Sequence, residues 1–114
     1  MDFIKTADKE GKEKHAPVIL VTPRAEKAGV HSVKVVVGYE TPHPNTDKHY
    51  IQSAELYGKR KDNGELELIG KALWAPLNAN PTLKLEVLGL DRFSSLHALS
   101  YCNIHGIWGN SLEL

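Results

Sequence analysis

The chain has 114 residues, 41% hydrophobic and 25% charged, which is ordinary for a soluble globular domain able to bury one modest core. Its 14 Lys and Arg balance 14 Asp and Glu, so no global field gathers nucleic acid or an anionic membrane surface, and any anion has to be drawn by local charge. The one cysteine excludes an internal disulfide. The opening MDFIKTADKEGKEKH lacks the apolar stretch of a secretory signal, and no run approaches membrane-span length, so the expected location is the cytoplasm.

In chain order, the first fourteen residues read as a polar arm rich in Lys and Glu. APVILV (16–21) is apolar and β-branched, and Pro17 argues against a helix interior. HSVKVVVGYE (31–40) sets Val33, Val35 and Val37 on one face, the alternation of a half-buried strand. HYIQSAELY (49–57) alternates less cleanly, with Tyr50, Ala54 and Leu56 opposite Ile51, Glu55 and Tyr57. Asn63-Gly64 is a strong hairpin signal and leads into LELIGKALW (66–74). TLKLEVLGL (82–90) alternates again through Leu83, Leu85 and Val87. SSLHALSYC (94–102) reads as the last full strand, and SLEL (111–114) as a short addition. No window carries a 3.6-residue apolar period. Six or seven short strands between turn-rich segments predict an all-β, immunoglobulin-like antiparallel sandwich or barrel. No repeat or boundary divides residues 1–114, so one domain is expected.

Six histidines stand at 15, 31, 43, 49, 97 and 105. His15, His43, His49 and His105 fall in predicted loops or at strand ends, and a β-sandwich gathers alternate loops at one end. Cys102 and His105 have Cys-x-x-His spacing, which lets one tight turn present both to one ion. His43 and His49 close a loop stiffened by Pro44. A thiolate with imidazoles suits zinc, copper or iron better than magnesium or calcium. A structural zinc site is one rival, although four His and a Cys exceed its tetrahedral shell by one ligand. A blue-copper site is another, without a methionine or glutamine after His105 to serve as its weak axial ligand. A Cys–His nucleophilic pair leaves three loop histidines without a task. His31 and His97 lie at or within strands and are expected to be structural. Trp74 and Trp108 are read as packing residues.

EKHAP (13–17), HPNTDKH (43–49) and CNIHGIW (102–108) resemble, in order and spacing, the metal-binding segments of superoxide reductases of the one-iron class, often called neelaredoxins. The likeness covers nearly the whole chain and lacks the four-cysteine N-terminal domain of the two-iron desulfoferrodoxins. It implies a seven-stranded immunoglobulin-like β-barrel and one non-haem iron, cycling between Fe2+ and Fe3+. His15, His43, His49 and His105 would be its equatorial ligands and Cys102 its axial thiolate. It further implies reduction of superoxide to hydrogen peroxide with an electron from rubredoxin or a similar donor, and assembly as a homo-oligomer, commonly a homotetramer. By the same resemblance, the Glu13 carboxylate caps the sixth position of oxidised iron, and Lys14 draws in and hydrogen-bonds the superoxide anion. Lys48, beside His49, adds a positive charge to which the pattern assigns no role. Backbone N–H groups of the turn at Asn103, Ile104 and Gly106 are expected to donate to the Cys102 sulfur.

Overall fold

The computed structural model describes residues 4–9, 15–23 and 28–114. Seven strands lie among them: β1 (Val18–Pro23), β2 (Val30–Val36), β3 (Ile51–Arg60), β4 (Leu66–Leu73), β5 (Thr82–Leu88), β6 (Phe93–Cys102) and β7 (Gly106–Glu113). They form a three-stranded sheet of order β1-β2-β5 and a four-stranded sheet of order β4-β3-β6-β7. Every strand pairing is antiparallel. This is the all-β sandwich that the alternation predicts.

The inward faces meet as expected from the sequence. Val33 and Val35 of β2, Leu83 and Val87 of β5, Ala54 and Leu56 of β3, and Leu96 and Ala98 of β6 share one apolar core. Phe93 packs into it so closely that a Cβ on Gly58 would stand 2.5 Å from its ring. Apolar burial of this kind is the main driving force holding two sheets face to face. Asn63-Gly64 turns β3 into β4, with Gly64 at φ 73° supplying the left-handed residue that the turn needs. The Asn63 side chain accepts from the Glu65 amide at 3.0 Å.

Two elements differ from their sequence reading. Ile51 is buried with Ala54 and Leu56, although strict alternation puts it on the opposite face. The register against β6 slips between Ile51 and Ser53, so Gln52 is an extra residue and the phase reverses across it. The last strand starts at Gly106, five residues before SLEL, because Ile107 and Trp108 continue the ladder with Tyr101 and Ser100. Gly106 and Gly109 obscure that strand in a propensity reading.

Strand ends and loops from both sheets gather at one end of the sandwich. The antiparallel registers bring together the start of β1, the end of β2, the start of β3, the end of β6 and the start of β7. There Val37, Ile51 and Cys102 form a second buried cluster, with Trp74 packed against it.

Candidate metal centre

Each segment with a histidine or thiol reaches this end for a local reason. His15 precedes β1, and its carbonyl accepts from Ser100 Oγ at 2.8 Å. Two residues on, Asn110 Nδ2 donates to the Pro17 carbonyl at 2.9 Å, so β6 and β7 both clasp the lead into β1. After β2 the chain folds back at Gly38, whose φ is 80° and whose missing Cβ would lie 2.6 Å from the His43 amide nitrogen. Only glycine serves there. The loop then closes on itself: the Thr46 amide donates to the His49 carbonyl at 2.9 Å, and the His49 amide to Thr46 Oγ1 at 3.0 Å. Cys102 ends β6, and a tight turn returns the chain through His105 into β7.

The four loop imidazoles stand at the corners of a near-square. Ring centroids are 4.6 Å apart for His15–His43, 4.7 Å for His43–His49, 5.0 Å for His49–His105 and 4.7 Å for His105–His15. The His15–His49 diagonal is 6.3 Å, and adjacent rings meet edge to face. Cys102 is 0% exposed, with His15 and His43 at 5% and 6%, while His49 and His105 are half-buried. The sulfur approaches His43 Nε2 at 3.7 Å and His105 Nδ1 at 3.8 Å. One ligand atom from each of His15, His43, His49 and Cys102 lies within 4.8 Å of all the others. His105 joins them through Nδ1, 3.0 Å from His15 Nε2.

This donor set fits iron. Four imidazoles and one thiolate exceed the four-coordinate shell of structural zinc and the two-histidine trigonal set of blue copper. They are also borderline to soft donors, unlike the oxygen cages of magnesium or calcium. Supporting bonds orient them. His43 Nδ1 lies 2.7 Å from the Pro44 carbonyl, which can only accept, so the ring proton sits on Nδ1 and the Nε2 lone pair points into the site. The His105 amide donates to the Cys102 sulfur at 3.4 Å, which fixes where the sulfur sits beside the ring of the same turn. The amide facing the sulfur is thus that of His105 itself.

Sequence reading brings together His15, His43, His49, Cys102 and His105, and the structure does the same. Glu13 and Lys14 lie outside the described residues. His31 and His97 stand apart: His31 is in β2, and His97 on β6 pairs with Ser95 Oγ at 2.8 Å. Three supporting residues go beyond the sequence reading. Trp108 is 4% exposed and stacks on His15, with centroids 4.8 Å apart and an interplanar angle of 12°. Lys5 sets its Nζ 5.4 Å from the Trp108 ring and donates to the His105 carbonyl at 2.9 Å. Asn103 reaches across to the loop that carries His49. Trp108 and Asn103 sit inside the CNIHGIW motif, but their contacts are to residues distant in sequence, and no local pattern encodes those.

A family profile described as desulfoferrodoxin matches residues 6–111. The chain belongs to the desulfoferrodoxin family. Within that family it is 40% identical over 116 residues to a superoxide reductase of Pyrococcus abyssi, covering 99% of this chain and 96% of that protein. It is 31% identical over 122 residues to the neelaredoxin of Megalodesulfovibrio gigas, covering 96% and 92%. Among solved structures, the reduced superoxide reductase (neelaredoxin) of Archaeoglobus fulgidus superposes with a TM-score of 0.84 at 36% identity, over 99% of this chain and 98% of that one. The one-iron superoxide reductase of Giardia intestinalis gives 0.80 at 32% identity, over 90% and 100%. The desulfoferrodoxin fold and its histidine–cysteine constellation are therefore both present in this chain.

Proposed function

We propose that this desulfoferrodoxin-family chain is a superoxide reductase, with residues 1–114 acting as one iron-binding domain. The observation that carries the reading is the square of four imidazoles closed on its buried side by the Cys102 sulfur. When bound there, iron would supply the one electron that, with two protons, converts superoxide to hydrogen peroxide. His15, His43, His49 and His105 would hold it, together with Cys102.

The chain's own residues divide the remaining work. Burial of Cys102, His15 and His43 closes one side to water, so a small anion reaches the site from the side of the half-buried His49 and His105. Lys14, next to His15 in sequence, attracts that anion; local charge is the means left to a chain with 14 cations and 14 anions. Glu13 would offer a carboxylate ligand to the oxidised metal. The electron comes from rubredoxin or a similar small carrier, and the protein works as a homo-oligomer in the cytoplasm. Among the described residues no helix is long and apolar enough to cross a membrane.

The deciding experiment supplies reductant and a superoxide flux to the iron-loaded protein and measures both products. One hydrogen peroxide per superoxide consumed, with no dioxygen released, is expected. Dioxygen at half the superoxide consumed would indicate dismutation and overturn the reading.

A further inference from the structure

His49 approaches the site on a loop, with five residues separating it from His43. The Thr46 bonds fold that loop on itself but do not connect it to Cys102. Asn103 makes the connection. Its amide N–H donates to the Tyr50 carbonyl at 3.2 Å, extending the β3–β6 ladder one residue past the Ile51–Cys102 pair. Its Oδ1 accepts from the Tyr50 amide at 2.9 Å, and its Nδ2 donates to the Lys48 carbonyl at 2.9 Å. One side chain therefore grips the backbone on both sides of His49. The partners fix the orientation of the carboxamide, because an amide nitrogen only donates and a carbonyl only accepts.

We propose that Asn103 is the positioning residue for His49, locking that ligand to the turn that carries Cys102 and His105. The inference rests on the reading of this centre as an iron site. A donor group has to sit within about 0.5 Å of its productive place to bind well, and a loop ligand without such a brace loses that precision. A carboxamide suits the task because it donates and accepts at once. Aspartate keeps the acceptor for Tyr50 but turns a second oxygen toward the Lys48 carbonyl. Alanine keeps neither bond.

The test is a double-mutant cycle on Fe(II) affinity, measured by competition with a ferrous chelator. It uses Asn103→Ala and Asn103→Asp, each alone and in a His49→Ala background. Asn103→Ala is expected to weaken iron binding roughly ten- to a hundredfold, the usual cost of removing a residue that orients a metal ligand. In the His49→Ala background the same change should cost less than about threefold, because no ligand remains for Asn103 to place. Asn103→Asp should fall between wild type and Ala. Thermal midpoints of the iron-free proteins separate general weakening from the metal effect, since Asn103→Ala should lower them equally in both backgrounds. If the Ala variant does not fold, the Asp variant carries the same cycle. Unchanged iron affinity in the single variants overturns the proposal, as does a loss that persists in full without His49. A wild-type chain that holds no iron overturns this proposal together with the iron-site reading.

Discussion

At the scale of single residues, the buried face of the centre sets the strongest expectations. Cys102 is wholly enclosed, and Cys102→Ser replaces a polarisable thiolate with a poor ligand at the same place. The oxidised iron protein should lose its sulfur-to-metal charge-transfer band and its activity together, and a visible spectrum checks this. Trp108 supports His15 by its ring face, while its indole Nε1 is buried without a hydrogen-bond partner among the described residues. Trp108→Phe should therefore cost little, since it keeps an aromatic face and removes an unsatisfied donor. Trp108→Ala should cost about 3–5 kcal/mol in chemical denaturation and lower iron occupancy as well. Far from the metal, Tyr57 donates to Glu55, and that hydrogen bond, followed by burial and the carboxylate's charge, raises the phenol's pKa above its ordinary value. A raised folded-state pKa contributes stability that is complete below the ordinary phenol value and is lost as pH climbs through the folded one. Tyr57→Phe should flatten that alkaline part of the stability profile, as read by denaturation from neutral to strongly alkaline pH.

At the scale of elements, the strands were legible wherever alternation was clean. Val33-Val35-Val37 and Leu83-Leu85-Val87 declare their buried faces because these alternate positions are apolar while the residues between Val33 and Val35 and among the leucines are charged. Strand β3 did not, since Gln52 inserts a residue and inverts the phase, and a bulge is set by cross-strand register that local sequence does not carry. The grouping of His15, His43, His49 and His105 with Cys102 was legible because metal-binding chemistry draws on few residue types. The braces were not, because Ser100, Asn110 and Asn103 bond to main-chain groups, and many polar residues could have been drawn to such a role. The two turn glycines make the difference testable. Gly64 and Gly38 both have positive φ, but a Cβ on Gly64 meets nothing within 4 Å, whereas one on Gly38 meets the His43 backbone. Gly64→Ala should cost about 1–2 kcal/mol of backbone strain and leave iron affinity unchanged. Gly38→Ala should cost more and weaken iron binding, because the loop cannot relieve the clash without moving His43. Thermal scans and chelator competition on both variants check the pair.

At the scale of the whole molecule, the centre ties the two sheets together. His15 leads into β1 of the three-stranded sheet, His43 and His49 lie on the crossing from β2 to β3, and Cys102 and His105 belong to the β6–β7 turn of the four-stranded sheet. An ion held by all three segments binds the folded state and not the open chain, so it should stabilise the fold by mass action. Removing iron should lower the thermal midpoint. His43→Ala or His49→Ala should reproduce the loss, while His31→Ala should leave the stabilisation by iron intact. The same architecture gives the chain a built-in reporter. Its one thiol is sealed at the junction of the sheets, at 0% exposure, so an alkylating reagent modifies only molecules whose sandwich end has opened. In iron-free protein the labelling rate, divided by that of the unfolded chain, measures the population of that opening when closure outpaces modification. Its ratio to the rate in iron-loaded protein would give the metal's hold on this one seam, without unfolding the rest.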